Sequence, residues 1–301
     1  ELYAPVLLAD GTVALRVVEK HADRAVCIAE QPGLIRSGQG INLPGVDLRM
    51  PSVTDKDRRD LAWAVAHGVD FIGLSFVRRA RDIRELRQLI DRLEPAQSPF
   101  IVAKIEKPEA VEALDDILAE TDVIMVARGD LGVEVDVVRV PAIQKQIIRQ
   151  CNRQRVPVIT ATQMLDSMER HRLPTRAEVS DVANAVLDGS DAVMLSGETA
   201  IGKHPLESVT MMSRIAREVE PLVVSSKELP IGVTSRNAAT ETTRALTLGA
   251  MHTAEQLAAN LIVVLTRSGK TAFAISKLRS SIPALAGTNS SQTAQRPCLA
   301  W

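Results

Sequence analysis

Residues 100–134 combine apolar runs with charged groups at their ends. The apolar runs at 101–103 and 123–127 have strand length, and residues 111–118 between them have helical spacing. The charged residues that follow the two runs are Lys104, Glu106, Arg128 and Asp130. Because a strand–helix–strand unit makes its strands parallel, these residues are expected at one edge of a sheet. A cation and two carboxylates at one edge indicate a divalent metal that holds an anionic, oxygen-rich substrate.

The elements that must position these residues alternate between strands and helices from Pro51 onward. Strands are predicted at 71–76, 101–103, 123–127, 156–162 and 192–195. Helices are predicted at 52–67, 80–93, 111–118, 143–153, 175–187 (with a Thr175/Glu178 capping box) and 205–219. A strand, a polar tip and a helix, repeated about five times, are typical of a (β/α) barrel. No GxGxxG follows any of these strands, which disfavours a dinucleotide-binding fold.

The flanking regions predict two smaller domains. Residues 5–48 contain a hairpin with an Asp10-Gly11 turn and a third strand at 25–28. After a polar segment at 222–236, the pattern predicts a helix at 239–257, a buried strand at 261–265 and a helix at 271–278. The predicted domains are a small β domain (1–48), an α/β barrel domain (49–220) and a C-terminal α/β domain (221–301).

The composition limits the class of protein. The 301 residues are 46% hydrophobic but only 2% aromatic, which favours an aliphatic α/β core. The net charge of −1 gives no basic excess, so we expect no nucleic-acid partner. Apolar runs are of strand length and the first residues do not resemble a signal peptide, so no membrane partner is expected. Three dispersed cysteines indicate a reducing, cytoplasmic location.

The polar tips of the strands carry a dense set of motifs in a fixed order. They are AKIE (103–106), MVARGDLG (125–132), ATQML (161–165), PTRAE (174–178) and MLSGETA (194–200), with LPG (43–45) upstream and TRSG (266–269) downstream. This set resembles the pyruvate kinase family over nearly the whole chain. The resemblance implies an incomplete (β/α)8 TIM barrel, a remnant of an inserted small β domain and a C-terminal α/β domain. It places the first barrel strands ahead of Glu1 and further C-terminal residues beyond Trp301.

The activity that the resemblance implies is the last step of glycolysis, phosphoryl transfer from phosphoenolpyruvate to ADP. Glu106 and Asp130 would bind Mg²⁺ or Mn²⁺, and Lys104 would stabilise charge on the phosphoryl group and the enolate. Thr162 would help to protonate enolpyruvate, with water as a relay. Backbone N–H groups of Gly129 and Asp130 would bind the substrate carboxylate. K⁺ is also implied, with ligands outside this chain.

Further residues are assigned supporting roles by the same resemblance. Ser75, Arg128 and Glu198 would support the site, with Arg128 pairing with Glu106 or Glu198. The loop Thr266, Arg267, Ser268, Gly269, Lys270 and Thr271 would contribute to a sugar-phosphate effector site. It is not a P-loop, because that pattern requires glycine where Val264 stands. A homo-oligomer, usually a tetramer in this family, is expected, with 137–153 and the C-terminal domain as candidate contact surfaces.

Two other hypotheses remain open. One is a Mg²⁺-dependent phosphoenolpyruvate/pyruvate-type barrel lyase or aldolase, which also stabilises an enolate, although the motifs at 161–163 and 196–198 disfavour it. The other is a truncated chain without catalytic activity. Since about five of eight barrel strands leave sheet edges unpaired, we expect this chain to fold poorly by itself.

Overall fold

The computed structural model describes residues 2–8, 11–46, 51–223 and 238–300. Its strands are β1 Pro5–Leu8, β2 Val13–Lys20, β3 Ala25–Gln31, β4 Ile41–Asn42, β5 Phe71–Leu74, β6 Phe100–Ile105, β7 Val123–Ala127, β8 Val158–Ala161, β9 Ala192–Met194, β10 Ile262–Leu265 and β11 Ala284–Gly287. Its helices are α1 Asp55–Ala66, α2 Ala80–Arg92, α3 Pro108–Glu112, α4 Leu114–Leu118, α5 Arg128–Glu134, α6 Val140–Gln154, α7 Arg176–Leu187, α8 Gly197–Ala200, α9 Pro205–Val219, α10 Ala238–Gln256, α11 Lys270–Ser276 and α12 Ser291–Gln295.

The central sheet contains five strands in the order β5-β6-β7-β8-β9, and all its pairings are parallel. This confirms the predicted strand–helix alternation. The register places the carboxyl ends of neighbouring strands at the same level, with Ile105 beside Val126 and Ala127 beside Ala161. Residues that follow these strands are therefore collected at one edge of the sheet.

Alternation along β6 directs its side chains to the two faces of the sheet. Ile101, Ala103 and Ile105 are buried in the main core, which also contains residues of α2, α4 and α6. Val102 lies in a second cluster on the opposite face. Because side chains alternate along a strand, Lys104 shares the face of Val102. Lys104 therefore lies on the interior face of the sheet, opposite the face that the helices cover.

Most predicted helices and strands are present, with corrections at their ends. Capping boxes at Thr54 and Thr175 begin α1 and α7. The single helix predicted at 111–118 is wrong, because the chain leaves helical geometry at Ala113 and forms α3 and α4. The strand predicted at 156–162 ends at Ala161, since Thr162 and Gln163 adopt φ values of 69° and 51°.

The small β domain is an antiparallel sheet in the order β3-β2-β1-β4. Leu8 of β1 pairs with Val13 of β2, which confirms the predicted hairpin. Asp10 of the predicted turn lies outside the described residues. The two-residue strand β4 was not predicted. It lies in a segment rich in glycine and proline, but Asn42 pairs there with Leu7 of β1.

The C-terminal domain contains α10, a parallel β10-β11 pair, α11 and α12. The strand predicted at 261–265 is present as β10, but the prediction that it is buried is wrong, because Val263 is 61% exposed and Leu265 is 83% exposed. Within the described residues β10 has one strand partner, and only its Val264 face is covered. The segment at 224–237 lies outside the described residues. None of the described helices has the length and apolar character needed to cross a membrane.

The C-terminal domain contacts the amino-terminal ends of the central strands. Arg296 donates a hydrogen bond to the Ser98 carbonyl oxygen at 2.6 Å, and its guanidinium lies 4.3 Å from the centre of the Phe100 ring. Lys277, just after α11, forms an ion pair with Asp191, which immediately precedes β9. The opposite, carboxyl-terminal edge therefore remains available for a site.

Candidate active site

Lys104 and Glu106 meet at the carboxyl end of β6. The Lys104 Nζ lies 2.5 Å from Glu106 Oε1 and donates a hydrogen bond to Ser75 Oγ at 3.1 Å. Ser75 follows β5, the neighbouring parallel strand, so the register of the sheet brings it to Lys104. Two of the predicted residues and one predicted supporting residue are thus in direct contact.

The Glu106 carboxylate is fully buried, yet its two oxygens have unequal partners. Oε2 accepts a hydrogen bond from the Phe76 N–H at 2.6 Å. For Oε1, no donor among the described residues has hydrogen-bond geometry, although the Lys104 ammonium is close. Burial raises the pKa of Glu106, against the opposing effect of Lys104 and with a smaller contribution from the negative charge of Asp130. Within the described residues, the ionised carboxylate is therefore balanced by the Lys104 ammonium, which lies beside Oε1.

Asp130 lies in the first turn of α5, which starts directly after β7. Its negative charge makes a small contribution to the raised pKa of Glu106. Within the described residues, no group of three or more His, Cys, Asp or Glu side chains converges on one point. Two carboxylates, one with an oxygen that lacks a hydrogen bond, suit a Mg²⁺ that takes its other ligands from substrate and water. The residues present therefore fit an open metal site.

Thr162 lies next to the start of α5 and has a left-handed backbone conformation, with φ 69°. Its Oγ1 accepts a hydrogen bond from the Gly129 N–H at 2.7 Å and donates one to the Ala161 carbonyl at 2.6 Å. The Gly129 N–H, which the sequence assigned to the substrate carboxylate, is therefore occupied by Thr162 in this arrangement. A left-handed threonine is strained, which is a frequent property of functional sites.

Arg128 holds the backbone of the loop after β8. Its Nη2 donates hydrogen bonds of 2.8 Å to the carbonyl oxygens of both Thr162 and Gln163. Its Nη1 lies 2.6 Å from Asp181 of α7 and 3.3 Å from the Gln144 side-chain oxygen. The predicted partners of Arg128, Glu106 and Glu198, are wrong, because helices α6 and α7 bring Gln144 and Asp181 to it instead.

Glu198 is buried in α8 and organises the backbone nearby. Its Oε1 accepts a hydrogen bond from the Leu165 N–H at 2.9 Å, and its Oε2 accepts one from the Ser196 N–H at 2.7 Å. Both carboxylate oxygens are thereby used within the protein. Glu198 connects the loop after β8 with the loop after β9, which is a supporting position.

A cleft of about 880 Å³ lies between the small β domain and the central domain. Its walls include Asn42 on one side and Lys107, Asp130 and Glu134 on the other. Four of the residues near the site were not predicted from the sequence: Asn42, Lys107, Glu134 and Asp181. The four-residue spacing of Asp130 and Glu134 is a signal that could have found Glu134, since a helix places such residues on one face.

The predicted effector loop joins β10 to α11 in the C-terminal domain. The Gly269 N–H donates to Thr266 Oγ1 at 3.0 Å, and the Arg267 carbonyl accepts from Thr293 Oγ1 at 3.1 Å. The Arg267, Ser268 and Lys270 residues are exposed. The loop is thus ordered by its own hydrogen bonds and has exposed cations, and its effector role stays a prediction.

Comparison with known proteins identifies the family. Residues 3–209 match the pyruvate kinase barrel domain, and residues 244–301 match the pyruvate kinase alpha/beta domain. The chain is 44% identical to a pyruvate kinase of Geobacillus stearothermophilus over 300 residues, which are 99% of this chain and 51% of that protein. It is 45% identical to one of Bacillus licheniformis over 285 residues, covering 94% of this chain and 48% of that protein.

A pyruvate kinase of Clostridium acetobutylicum is 41% identical over 296 residues, which are 98% of this chain and 62% of that protein. The chain spans about half the length of the first two relatives and somewhat more of the third. Family models match both the central and the C-terminal parts, and the matches to relatives extend over nearly the whole chain. The chain belongs to the pyruvate kinase family.

Proposed function

We propose that this chain supplies the catalytic edge for phosphoryl transfer from phosphoenolpyruvate to ADP, which yields pyruvate and ATP. The observation that carries the proposal is the contact of Lys104 with the buried Glu106, whose pKa is raised by burial, next to Asp130. Phosphoryl transfer requires positioning and neutralisation of charge more than covalent chemistry from the protein. One ammonium and two carboxylates at a strand edge meet that requirement.

Glu106 and Asp130 would hold the divalent ion, Mg²⁺ or Mn²⁺. When bound, this ion supplies Lewis-acid chemistry and a template for the substrate oxygens. Lys104 is placed by its hydrogen bond to Ser75 and would neutralise charge that develops on the phosphoryl group and the enolate. The proposal also includes K⁺, whose ligands we assign to no residue of this chain.

Thr162 would take part in protonation of the enolate through water. Its hydroxyl proton is directed to the Ala161 carbonyl, so donation to a water requires rotation of the O–H group about the Cβ–Oγ1 bond. The Gly129 N–H can keep its hydrogen bond to Oγ1 during that rotation, because the oxygen itself does not move. Arg128 fixes the carbonyls of Thr162 and Gln163 and thereby holds this residue at the edge of the site.

The nucleotide would enter the cleft of about 880 Å³ below the small β domain, a volume within the usual range for small-molecule sites. A sugar-phosphate effector at residues 266–271, a homo-oligomeric assembly and a cytoplasmic location belong to the same proposal. They rest on the family rather than on contacts of this chain.

The test is ATP formation from phosphoenolpyruvate and ADP by the purified chain with Mg²⁺. The expected result is ATP formation that Lys104→Met lowers by at least about 100-fold, the scale for loss of one electrostatic group. Equal rates for the chain and this variant, or formation of a C–C bond instead of ATP, would contradict the proposal. Lys56→Met is a matched control, because Lys56 is exposed on α1 and forms an ion pair there with Asp60.

A further inference from the structure

Helix α5 carries two acidic residues with a spacing of four. Asp130 lies in its first turn and Glu134 is its last residue. Residues four apart share a face of a helix, and both line the same cleft. Because both residues belong to one helix, a contact that fixes the position of Glu134 also fixes the position of Asp130.

The side chain of Glu134 forms an ion pair with Lys107. The Lys107 Nζ lies 2.6 Å from Glu134 Oε1, and the two side chains are only 16% and 3% exposed. The same oxygen accepts a hydrogen bond from the Asn42 side-chain amide at 3.2 Å. With two donors on one nearly buried oxygen, the position of Glu134 is well determined.

Lys107 directly follows Glu106 in the chain. Its Nζ also lies 5.8 Å from the centre of the Phe76 ring, and the Phe76 N–H is the donor to Glu106 Oε2. The Lys107–Glu134 pair therefore joins the two segments that carry the two carboxylates. One segment is the end of β6 with Glu106, and the other is α5 with Asp130.

We propose that Lys107 and Glu134 are positioning residues that fix the separation of the Glu106 and Asp130 carboxylates and so set the affinity for the divalent ion. This inference rests on the proposed metal site. A nearly buried ion pair contributes little net stability, because desolvation offsets the attraction. Its geometric effect is larger, since residues that orient metal ligands change metal affinity by about 10–100-fold when replaced.

The experiment is a titration of the purified chain with Mn²⁺ alone, without substrates, in which free Mn²⁺ is measured by electron paramagnetic resonance. Lys107→Met and Glu134→Gln are each expected to weaken Mn²⁺ binding by about 10–100-fold. In the double variant the loss should be no larger than in the worse single variant, because both residues act through one contact. Glu134→Gln keeps the size of the side chain and an acceptor oxygen, so it is the milder of the two changes.

Three controls separate the possible outcomes. Glu106→Gln and Asp130→Asn should abolish the binding, and Lys145→Met, which breaks an ion pair between α6 and the residue just after α7, should leave it unchanged. If Glu106→Gln and Asp130→Asn leave binding intact, the proposed metal site itself is wrong. If those two abolish binding while Lys107→Met and Glu134→Gln bind Mn²⁺ as well as the parent chain, only the positioning role is overturned. Unfolding of both positioning variants, seen by circular dichroism, would also overturn it in favour of a structural role.

Discussion

The two edges of the central sheet each contain a fully buried carboxylate, and they use it differently. At the amino-terminal edge, Asp191 Oδ2 accepts a hydrogen bond from the Val158 N–H at 2.8 Å and pairs with Lys277. Its Oδ1 lies 3.1 Å from an Arg279 nitrogen, so both oxygens have partners. At the carboxyl-terminal edge, Glu106 Oε2 accepts a hydrogen bond from the Phe76 N–H and Oε1 lies 2.5 Å from Lys104, so among the described residues Glu106 pairs with one cation where Asp191 pairs with two.

This difference separates an edge built for domain contact from an edge built for binding. The ionic cluster at Asp191 joins the C-terminal domain to the barrel strands, and burial lowers the pKa of both Lys277 and Arg279 while Asp191 opposes that effect. Both edges contain residues with left-handed backbones, since Phe76, Thr162 and Gln163 lie just beyond the strands at the Glu106 edge and Arg279 lies in the Asp191 cluster. At the Glu106 edge three such residues surround the proposed site, which is where backbone strain is often found in functional sites.

The largest effect should come from Asp191→Asn at the contact edge. The change leaves two buried cations without their counter-charge, so the free energy of unfolding should fall by about 3–5 kcal/mol. Urea denaturation measures it. Asp188→Asn is a useful control, because its partner Lys145 is 45% exposed and can return to water. If Asp191→Asn lowers the free energy of unfolding by less than Asp188→Asn does, the proposed contrast between the two edges is wrong.

A smaller loss is expected from Arg128→Met at the binding edge. The carbonyls of Thr162 and Gln163 lose their donors, which costs about 1–3 kcal/mol in unfolding free energy. Arg128→Lys restores the charge but not the planar pair of donors, so it should recover only part of the stability. Full recovery by lysine in thermal and urea unfolding would show that charge alone matters at this position.

Glu106→Gln should change stability least, and in the opposite direction. Because burial raises the pKa of Glu106, the folded chain binds its proton more tightly than the unfolded chain does. Stability is therefore lost as pH rises from the ordinary glutamate range through the raised pKa. Glutamine does not ionise and has no such loss. At pH values above the ordinary glutamate range and in the absence of metal, the unfolding free energy of the variant should therefore match that of the parent or exceed it by up to about 1 kcal/mol.

The readout for this variant is the difference in unfolding free energy between Glu106→Gln and the parent, measured against pH in the presence of a chelator. The difference should shrink as pH falls below the ordinary glutamate pKa. A variant that is less stable than the parent at neutral pH would mean that the Lys104 ion pair outweighs the burial.

Thiol reactivity gives a second readout of the ionic cluster at Asp191. Burial raises the pKa of Cys151 to about 12, and its thiol lies near Lys277 and Asp191. Near pH 8 only ~10⁻⁴ of this thiol is ionised, so Ellman's reagent should modify the exposed Cys298 first and Cys151 only after local opening. Asp191→Asn should accelerate the slow phase. If the rate of Cys151 modification is unchanged, the ionic cluster at Asp191 does not limit the access of the reagent to Cys151.

The sequence predicted much of the fold because buried residues recur along the chain with the spacing of a helix or a strand. Strands β5 to β9 and helix α9 follow from runs and spacings that can be read within about fifteen residues. Lys104 and Glu106 were placed correctly on one strand end for the same reason. The exposure of Val263 and Leu265 could not be predicted, since it depends on which other strands and helices cover β10.

The partners of the charged residues were beyond local reasoning. Arg128 meets Asp181, 53 positions away, because α7 packs beside the loop after β8. Lys107 meets Glu134 because α5 continues directly from β7 at a particular angle. The periodicity of the sequence does not encode either packing angle, so the carboxylates predicted for Arg128 are wrong and the Lys107–Glu134 pair was not predicted.

The sequence by itself determined the parallel strands, the edge at which their polar tips meet and the motifs that indicate the family. The parallel strands and their common edge follow from the alternation of side chains and from the order of strands and helices. Both depend only on neighbouring residues and on the handedness of the connection. Only the tertiary structure decided which cations pair with each buried carboxylate, Lys104 with Glu106 and both Lys277 and Arg279 with Asp191. That choice depends on the cations that distant segments bring to Asp191, and on the burial that raises the pKa of Glu106 despite its ion pair.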